Sequence, residues 1–523
     1  MSKFMDFLNS MSLEEKIGQL LHIGIPSPSL SEETICHLQK IKPGGIIYFS
    51  RNIKNPNQVK DLSLKLQKIS KFAPFISIDQ EGGAVMRIVD GVTVFPGNMA
   101  LGATRSAALA YQAGRITGEE LYVMGVNMNL APVLDVNNNP QNPVIGLRSF
   151  GEEAELVAEL GSAMALGLQD AKVIATGKHF PGHGDTDQDS HYSLPVVNHE
   201  QKRLNEVELV PFKSAAEKGL RAIMTAHVVF PAFEPDISTP ATLSKNVLTG
   251  LLREQLNFDG LILTDCMEMK AISDTIGTVE GAIKTIEAGS DMVLISHTPS
   301  LQLEAYQALL NAVKSGRLTE ERIDQSVARI LKTKMEFGIL DQDWQNCDSI
   351  KLCAPESINT AKTISRSAIT ILKGSNLLPL SGRVSIVDLQ AQATTIAEDV
   401  TLSPKTLGYA AKDEIYNHLV LPFLDTNNSF NEQIATLDGD IFVVTTMDAH
   451  RFPKQLEIIK ALRKKGPVFA VGLRTPYEFS ALDDLVDGYI ATYSYREASL
   501  HAAWEVLTGK VKAPGILPVT VNS

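Results

Sequence analysis

The densest run of side chains capable of chemistry is KHFPGHGDTDQDSH, residues 178–191, with three histidines (His179, His183, His191) and three aspartates (Asp185, Asp187, Asp189). Metal binding is the first chemistry such a cluster suggests. The alternating aspartates copy the start of a calcium loop, but its sixth and twelfth positions, Gly and a bidentate Glu, are here Ser190 and Val196. The three histidines lack the HExxH helical spacing of a zinc enzyme, so no metal is expected. Pro181, Gly182 and Gly184 account for a tight loop, but not for clustered imidazoles and carboxylates. Proton transfer uses both. Asp189 and His191 are two residues apart, so on an extended segment they share one side, and a carboxylate against one ring nitrogen fixes the imidazole tautomer. A partner carboxylate is Asp265, which ends the apolar run GLILTD. Its competing role is that of an N-cap for the CMEMKAI segment that follows.

Eight short apolar runs, at residues 20–25, 45–49, 75–78, 127–132, 173–178, 222–226, 261–264 and 292–295, alternate with amphipathic stretches such as 205–217 and 245–255. Continuous rather than alternating apolar character marks parallel strands buried on both faces. Eight strands with intervening helices predict a (β/α)8 TIM-type barrel, with an open doubly wound sheet as the alternative. Asp79, Asp135, Lys178, His179, His227, Asp265 and His297 all fall at the ends of these runs. In a barrel, that places them at the C-terminal mouth. Helical segments at 299–315 and 320–336 would close it.

The polar stretch 338–356 is expected to be a linker, giving a barrel at 1–340, a connection at 341–356 and a second domain at 357–523. Candidate strands at 369–372, 384–389, 441–445, 468–473 and 488–492 predict an α/β/α sandwich, a layered parallel sheet with helices on both faces. Its 523 residues exceed what one core serves.

Composition excludes several function classes. Lys plus Arg is 48 and Asp plus Glu is 60, a net charge of −12, so nucleic acid and anionic membrane surfaces are not expected partners. Four cysteines (Cys36, Cys266, Cys347, Cys353) form neither a disulfide framework nor close CxxC pairs. The N-terminus has no sustained apolar core of a signal peptide and no run spans a bilayer, so a cytoplasmic location is expected.

KHFPGHG…DSH together with TDCMEM (Thr264, Asp265, Met267, Met269) resembles the family 3 glycoside hydrolases, specifically their bacterial two-domain exo-β-N-acetylglucosaminidase branch. MSLEEKIGQLL, IDQEGGAVMR, FPGNMALGAT, APVLDVNNNPQNPVIGLRSFG and TPATLSKNVLTGLLRE are similar to the same barrel. ISRSAITILKGSNLLPL and APGILPVTV are similar to the start and finish of the second domain. The resemblance implies a retaining glycosidase that needs no cofactor and acts on a small carbohydrate. It makes Asp265 the nucleophile, His191 the general acid/base and Asp189 the group that holds His191. Asp79, Arg87, Arg148, Lys178 and His179 would bind the hydroxyls of a terminal N-acetylglucosamine from cell-wall or chitin fragments. Lys178 or Arg148 would keep Asp265 ionised. Two positions depart from the pattern: Ala84 stands where an arginine is common, and Cys266 where an acidic residue is common. Phosphorolysis, a β-glucosidase taking its acid from the second domain, and an inactive sugar-binding protein are the alternative functions.

Overall fold

The computed structural model describes residues 3–341, 350–395, 397–398, 405–423 and 430–521. The eight expected runs form the staves of a closed parallel barrel: β1 (Leu21–Gly24), β2 (Gly45–Tyr48), β3 (Phe75–Ile78), β6 (Met128–Asn129), β7 (Ile174–Phe180), β8 (Ala222–Thr225), β9 (Leu261–Cys266) and β10 (Met292–Ile295). A hairpin of β4 (Gln80–Gly82) and β5 (Val85–Met86) leaves the barrel directly after β3. Leu21 pairs with Val293, closing the ring. Strand β1 is buried along its whole length, as are β2, β3, β8 and β10, which explains their uninterrupted apolar character. The barrel interior is filled by Ile47, Phe75, Met128, Leu130, Ile174, Met224, Leu261, Leu263, Met292 and Leu294.

Helix Pro299–Lys314 and helix Glu320–Glu336 complete the outer ring, the second capped by the Thr319 side chain, which accepts from the Arg322 amide. Three local expectations are corrected. The stretch 205–217 is two helices, Gln201–Glu206 and Val210–Glu217, with Pro211 in the first turn of the second, where its missing N–H costs nothing. Asn246–Gln255 is a π-helix. Strand β6 is only two residues long.

Beyond helix Pro355–Ala368, a second sheet runs in the order β11 (Thr370–Lys373), β16 (Gly488–Ala491), β15 (Val468–Gly472), β14 (Ile441–Thr446), β12 (Val384–Leu389) and β13 (Asn417–Leu421). It is not wholly parallel: β11 runs antiparallel to β16. The edge strand β13 was not expected. Its first four residues alternate between half-buried and exposed and only Leu421 is buried, so NHLVL lacks the doubly buried signature of its neighbours. Of the expected linker, residues 342–349 lie outside the described residues.

The two sheets' domains meet through buried polar contacts. Arg496 Nε donates to the Gly83 carbonyl at 2.7 Å, and Asn137 Nδ2 donates to the Tyr477 hydroxyl at 2.8 Å. Ala361 and Ile364 pack among barrel residues including Phe95, Leu101 and Phe150.

Candidate active site

A cavity of about 480 Å³ opens at the C-terminal end of the barrel strands. Asp79, Arg87, Arg148, Lys178, His179, His191 and Asp265 all line it, and Asp189 stands behind His191. The sequence thus singled out residues that the fold gathers from four separate chain regions.

At one end of the cavity lies an ion-pair network. Lys178, the fifth residue of β7, places Nζ 2.8 Å from Asp79 Oδ1 and 2.7 Å from Glu81 Oε1. Arg148 grips Glu81 with both arms, at 2.9 Å from Nε and 2.8 Å from Nη2. Arg87 Nη2 reaches Asp79 Oδ2 at 3.1 Å. Burial alone would raise the Asp79 carboxyl, but the Lys178 and Arg87 charges outweigh it and hold the group well below the ordinary carboxylate range. Glu81 is lowered in the same way, burial being overcome by Arg148 and Lys178. Two carboxylates and three cations therefore form a rigid charged cradle of donors and acceptors.

His179 is fixed by Asp135, whose Oδ2 lies 2.7 Å from Nδ1. A carboxylate only accepts, so Nδ1 carries the proton and Nε2 is turned toward Arg148, 3.5 Å from its Nη2. Asp135 also accepts the backbone amides of His179 and His183, at 3.1 and 2.7 Å. His183 is consumed inside the loop by Thr186 (2.8 Å) and Ser190 (3.0 Å), and burial and the neighbouring His179 push its pKa down to about 4. The three imidazoles of the loop thus each serve a different partner rather than one common centre.

His191 Nδ1 lies 2.6 Å from Asp189 Oδ1, which also accepts the His191 amide at 2.9 Å. Burial raises the Asp189 carboxyl, while the hydrogen bond and charge of His191 lower it further, leaving it below its ordinary value. Asp265 is not an N-cap: among the described residues its Oδ1 accepts just the adjacent Cys266 amide, at 2.7 Å, and the helix that follows starts after Met269. Its carboxyl is likewise lowered. Burial acts upward, and the imidazoles of His179, His227 and His191 act downward and prevail. This corrects the expectation that Lys178 or Arg148 keeps Asp265 ionised, since both cations are committed to Asp79 and Glu81.

Residues that sequence reasoning left without a role complete the site. Glu81 sits two positions after Asp79, a spacing that could have flagged it. His227 donates from Nε2 to the Cys266 carbonyl at 3.0 Å, with Nδ1 against Thr242 Oγ1 at 2.9 Å, and so pins the backbone after Asp265. Ala397 and Glu398 reach the cavity from the second domain, and nothing in their local sequence announces it. The structure also accounts for Ala84, the first of the two departures. Ala84 is buried in the second domain's core, and an arginine does reach this turn, but it is Arg496 from the other domain. The Cys266 thiol is pushed up to about 12 by burial, so it remains protonated.

The model of the family described as the glycosyl hydrolase family 3 N-terminal domain matches residues 12–333. The chain belongs to glycoside hydrolase family 3. Among family relatives, the β-hexosaminidase A of Pseudoalteromonas piscicida is 33% identical over 95% of this chain and 91% of its own length. The β-hexosaminidase of Nitrosomonas eutropha is 35% identical, over 60% of this chain but 90% of its own length. A solved family 3 β-N-acetylglucosaminidase from Paenibacillus sp. str. FPU-7 superposes with a TM-score of 0.92 at 41% identity, covering 98% of this chain and 99% of that one. This family 3 member is accordingly a glycoside hydrolase built from a barrel and an α/β second domain. Among the described residues no helix is long and apolar enough to cross a membrane.

Proposed function

We propose that the protein is a retaining exo-β-N-acetylglucosaminidase that removes terminal β-linked N-acetylglucosamine from cell-wall or chitin fragments. The observation that carries this reading is the convergence of an ionised carboxylate, Asp265, and a carboxylate-held imidazole, His191, on one cavity that the Asp79–Glu81–Arg87–Arg148–Lys178 cradle also lines. A sugar ring bound in that cradle presents many hydroxyls, which is what a dense set of paired donors and acceptors discriminates. The names of the relatives favour N-acetylglucosamine as that sugar.

In this mechanism Asp265 attacks the anomeric carbon, and the C–O bond to the leaving group breaks as His191 delivers a proton from Nε2 to the departing oxygen. Nδ1 stays against Asp189, whose charge stabilises the imidazolium before transfer. The covalent glycosyl–enzyme ester is then opened by water, which His191 deprotonates through the same Nε2. Among the described residues, Glu398 is the carboxylate from the second domain that lines the cavity, and it is a poor substitute for this acid. Both its oxygens accept from Arg474, at 2.6 and 2.9 Å, so it is engaged as an acceptor rather than free to donate.

The deciding experiment is product analysis on chitobiose and an aryl β-N-acetylglucosaminide, with and without phosphate. The expected product is free N-acetylglucosamine released first as the β-anomer. A sugar 1-phosphate would make the enzyme a phosphorylase, and faster cleavage of the aryl β-glucoside would make it a β-glucosidase.

A further inference from the structure

Among the described residues, the second domain touches the cavity at one turn. The Ala397 carbonyl accepts from Arg87 Nη1 at 3.0 Å, while Arg87 Nη2 holds Asp79. The next residue, Glu398, is buried and clamped by Arg474 through both oxygens. Arg474 is buried in turn and fixed from behind by Asp448, whose Oδ2 lies 2.8 Å from Nε and whose Oδ1 accepts from the Thr475 hydroxyl at 2.6 Å. The turn closes on itself as well, since Thr394 Oγ1 donates to Glu398 Oε1 at 3.2 Å. Glu398 therefore has its acceptor capacity filled by protein groups. What the turn presents to the barrel is a carbonyl aimed at an arginine.

We infer that Arg474 is a positioning residue for sugar binding, acting from the second domain through the 397–398 turn on Arg87. The inference rests on the proposed assignment of Asp79 and Arg87 to the sugar and extends it to a residue 387 positions away from Arg87 in the chain. An arginine side chain has several rotatable bonds, and each acceptor fixed against its fork takes away part of its freedom to swing. Binding its two terminal nitrogens to acceptors on two different domains removes that freedom before the sugar arrives. A buried ion pair by itself adds little to stability, because desolvation offsets the attraction. Fixing the place of a carbonyl is a role in which its directionality matters, and a wrong placement of about 1 Å in such a site costs up to a hundredfold.

The test is a double-mutant cycle in the full-length protein between Arg474→Met and Arg87→Ala, with Arg474→Lys as the conservative control. Both the KM for an aryl β-N-acetylglucosaminide and the dissociation constant of free N-acetylglucosamine are measured. In the parent background Arg474→Met should lower kcat/KM about ten- to a hundredfold, mostly through KM, with Arg474→Lys intermediate. In the Arg87→Ala background the same change should cost less than about twofold, because the route it acts through is already gone. Equal penalties in both backgrounds, or a loss in kcat with binding intact, would overturn the inference. Should Arg474→Met not fold, Glu398→Gln carries the same cycle. A parent protein that binds the free sugar but cleaves no glycoside would sink the catalytic assignment while the cycle in binding still judged Arg474. A parent that binds no sugar would take both down.

Discussion

The two ring nitrogens of His191 have different duties. Because Asp189 only accepts, the proton on Nδ1 is held there, and in the proposed mechanism the proton that moves sits on Nε2. Replacing His191 with Ala should lower turnover of poor leaving groups by about 10²–10⁴. The loss should shrink for activated aryl leaving groups, which depart with less protonation. A leaving-group series on parent and variant measures this, and equal losses along the series would remove His191 from the acid role. Asp189→Asn keeps an acceptor but not the charge, so its defect should fall between parent and His191→Ala. Asp265→Asn should fold and be inactive, and a 5-fluoro glycosyl analogue should label Asp265 in the parent, as mass spectrometry of the digested protein would show.

Elements set how accurately these residues are held. The loop after β7 is docked onto the barrel where Gly184 passes over Val136, so closely that a Cβ on Gly184 would lie 1.7 Å from the Val136 carbonyl oxygen. Asn142 reinforces the docking by donating to the carbonyls of His183 and Gly184, at 2.9 and 3.0 Å. Gly184→Ala should therefore displace the loop, costing about 1–3 kcal/mol of stability. It should also reduce kcat on poor leaving groups more than on activated ones. Unchanged kcat and melting temperature would show that the loop is held by other means. The barrel strands were legible because burial on both faces writes an unbroken apolar run into each. The loop was legible because His and Asp have little reason to cluster without chemistry. What escaped was whatever depends on a partner distant in sequence. Glu81 is hidden inside a glycine turn, β13 has one exposed face, and the Lys178 and Arg148 charges look available to Asp265 until their true partners are seen.

At the scale of the whole molecule, one buried carboxyl in the second domain ties stability to pH. Glu478 lies wholly buried behind Asp448, accepting from Thr446 Oγ1, the Ala449 amide and the Tyr489 hydroxyl, and burial raises its pKa from 4.5 to about 7. Between those values the folded protein keeps a proton that the unfolded chain has released. Stability contributed by this site therefore falls as pH rises through that window, by on the order of 3 kcal/mol in full. Calorimetry of the full-length protein at several pH values between 5 and 8 should show this decline, and Glu478→Gln, which keeps an acceptor and cannot ionise, should flatten it. An equal decline in the variant would assign the effect to other groups. One contact has a bearing beyond thermodynamics. The guanidinium of Arg496 is buried with the Gly83 carbonyl as its barrel partner, and Ala84 beside it is packed into the other domain's core. A barrel bearing a long side chain at position 84 would strike that core, and a second domain transplanted without its matching turn would bury a cation with nothing to meet it. The two halves are thus poor modules for exchange. In this chain, a change at residues 83–84 therefore calls for a matching change around Arg496 on the other side of the contact.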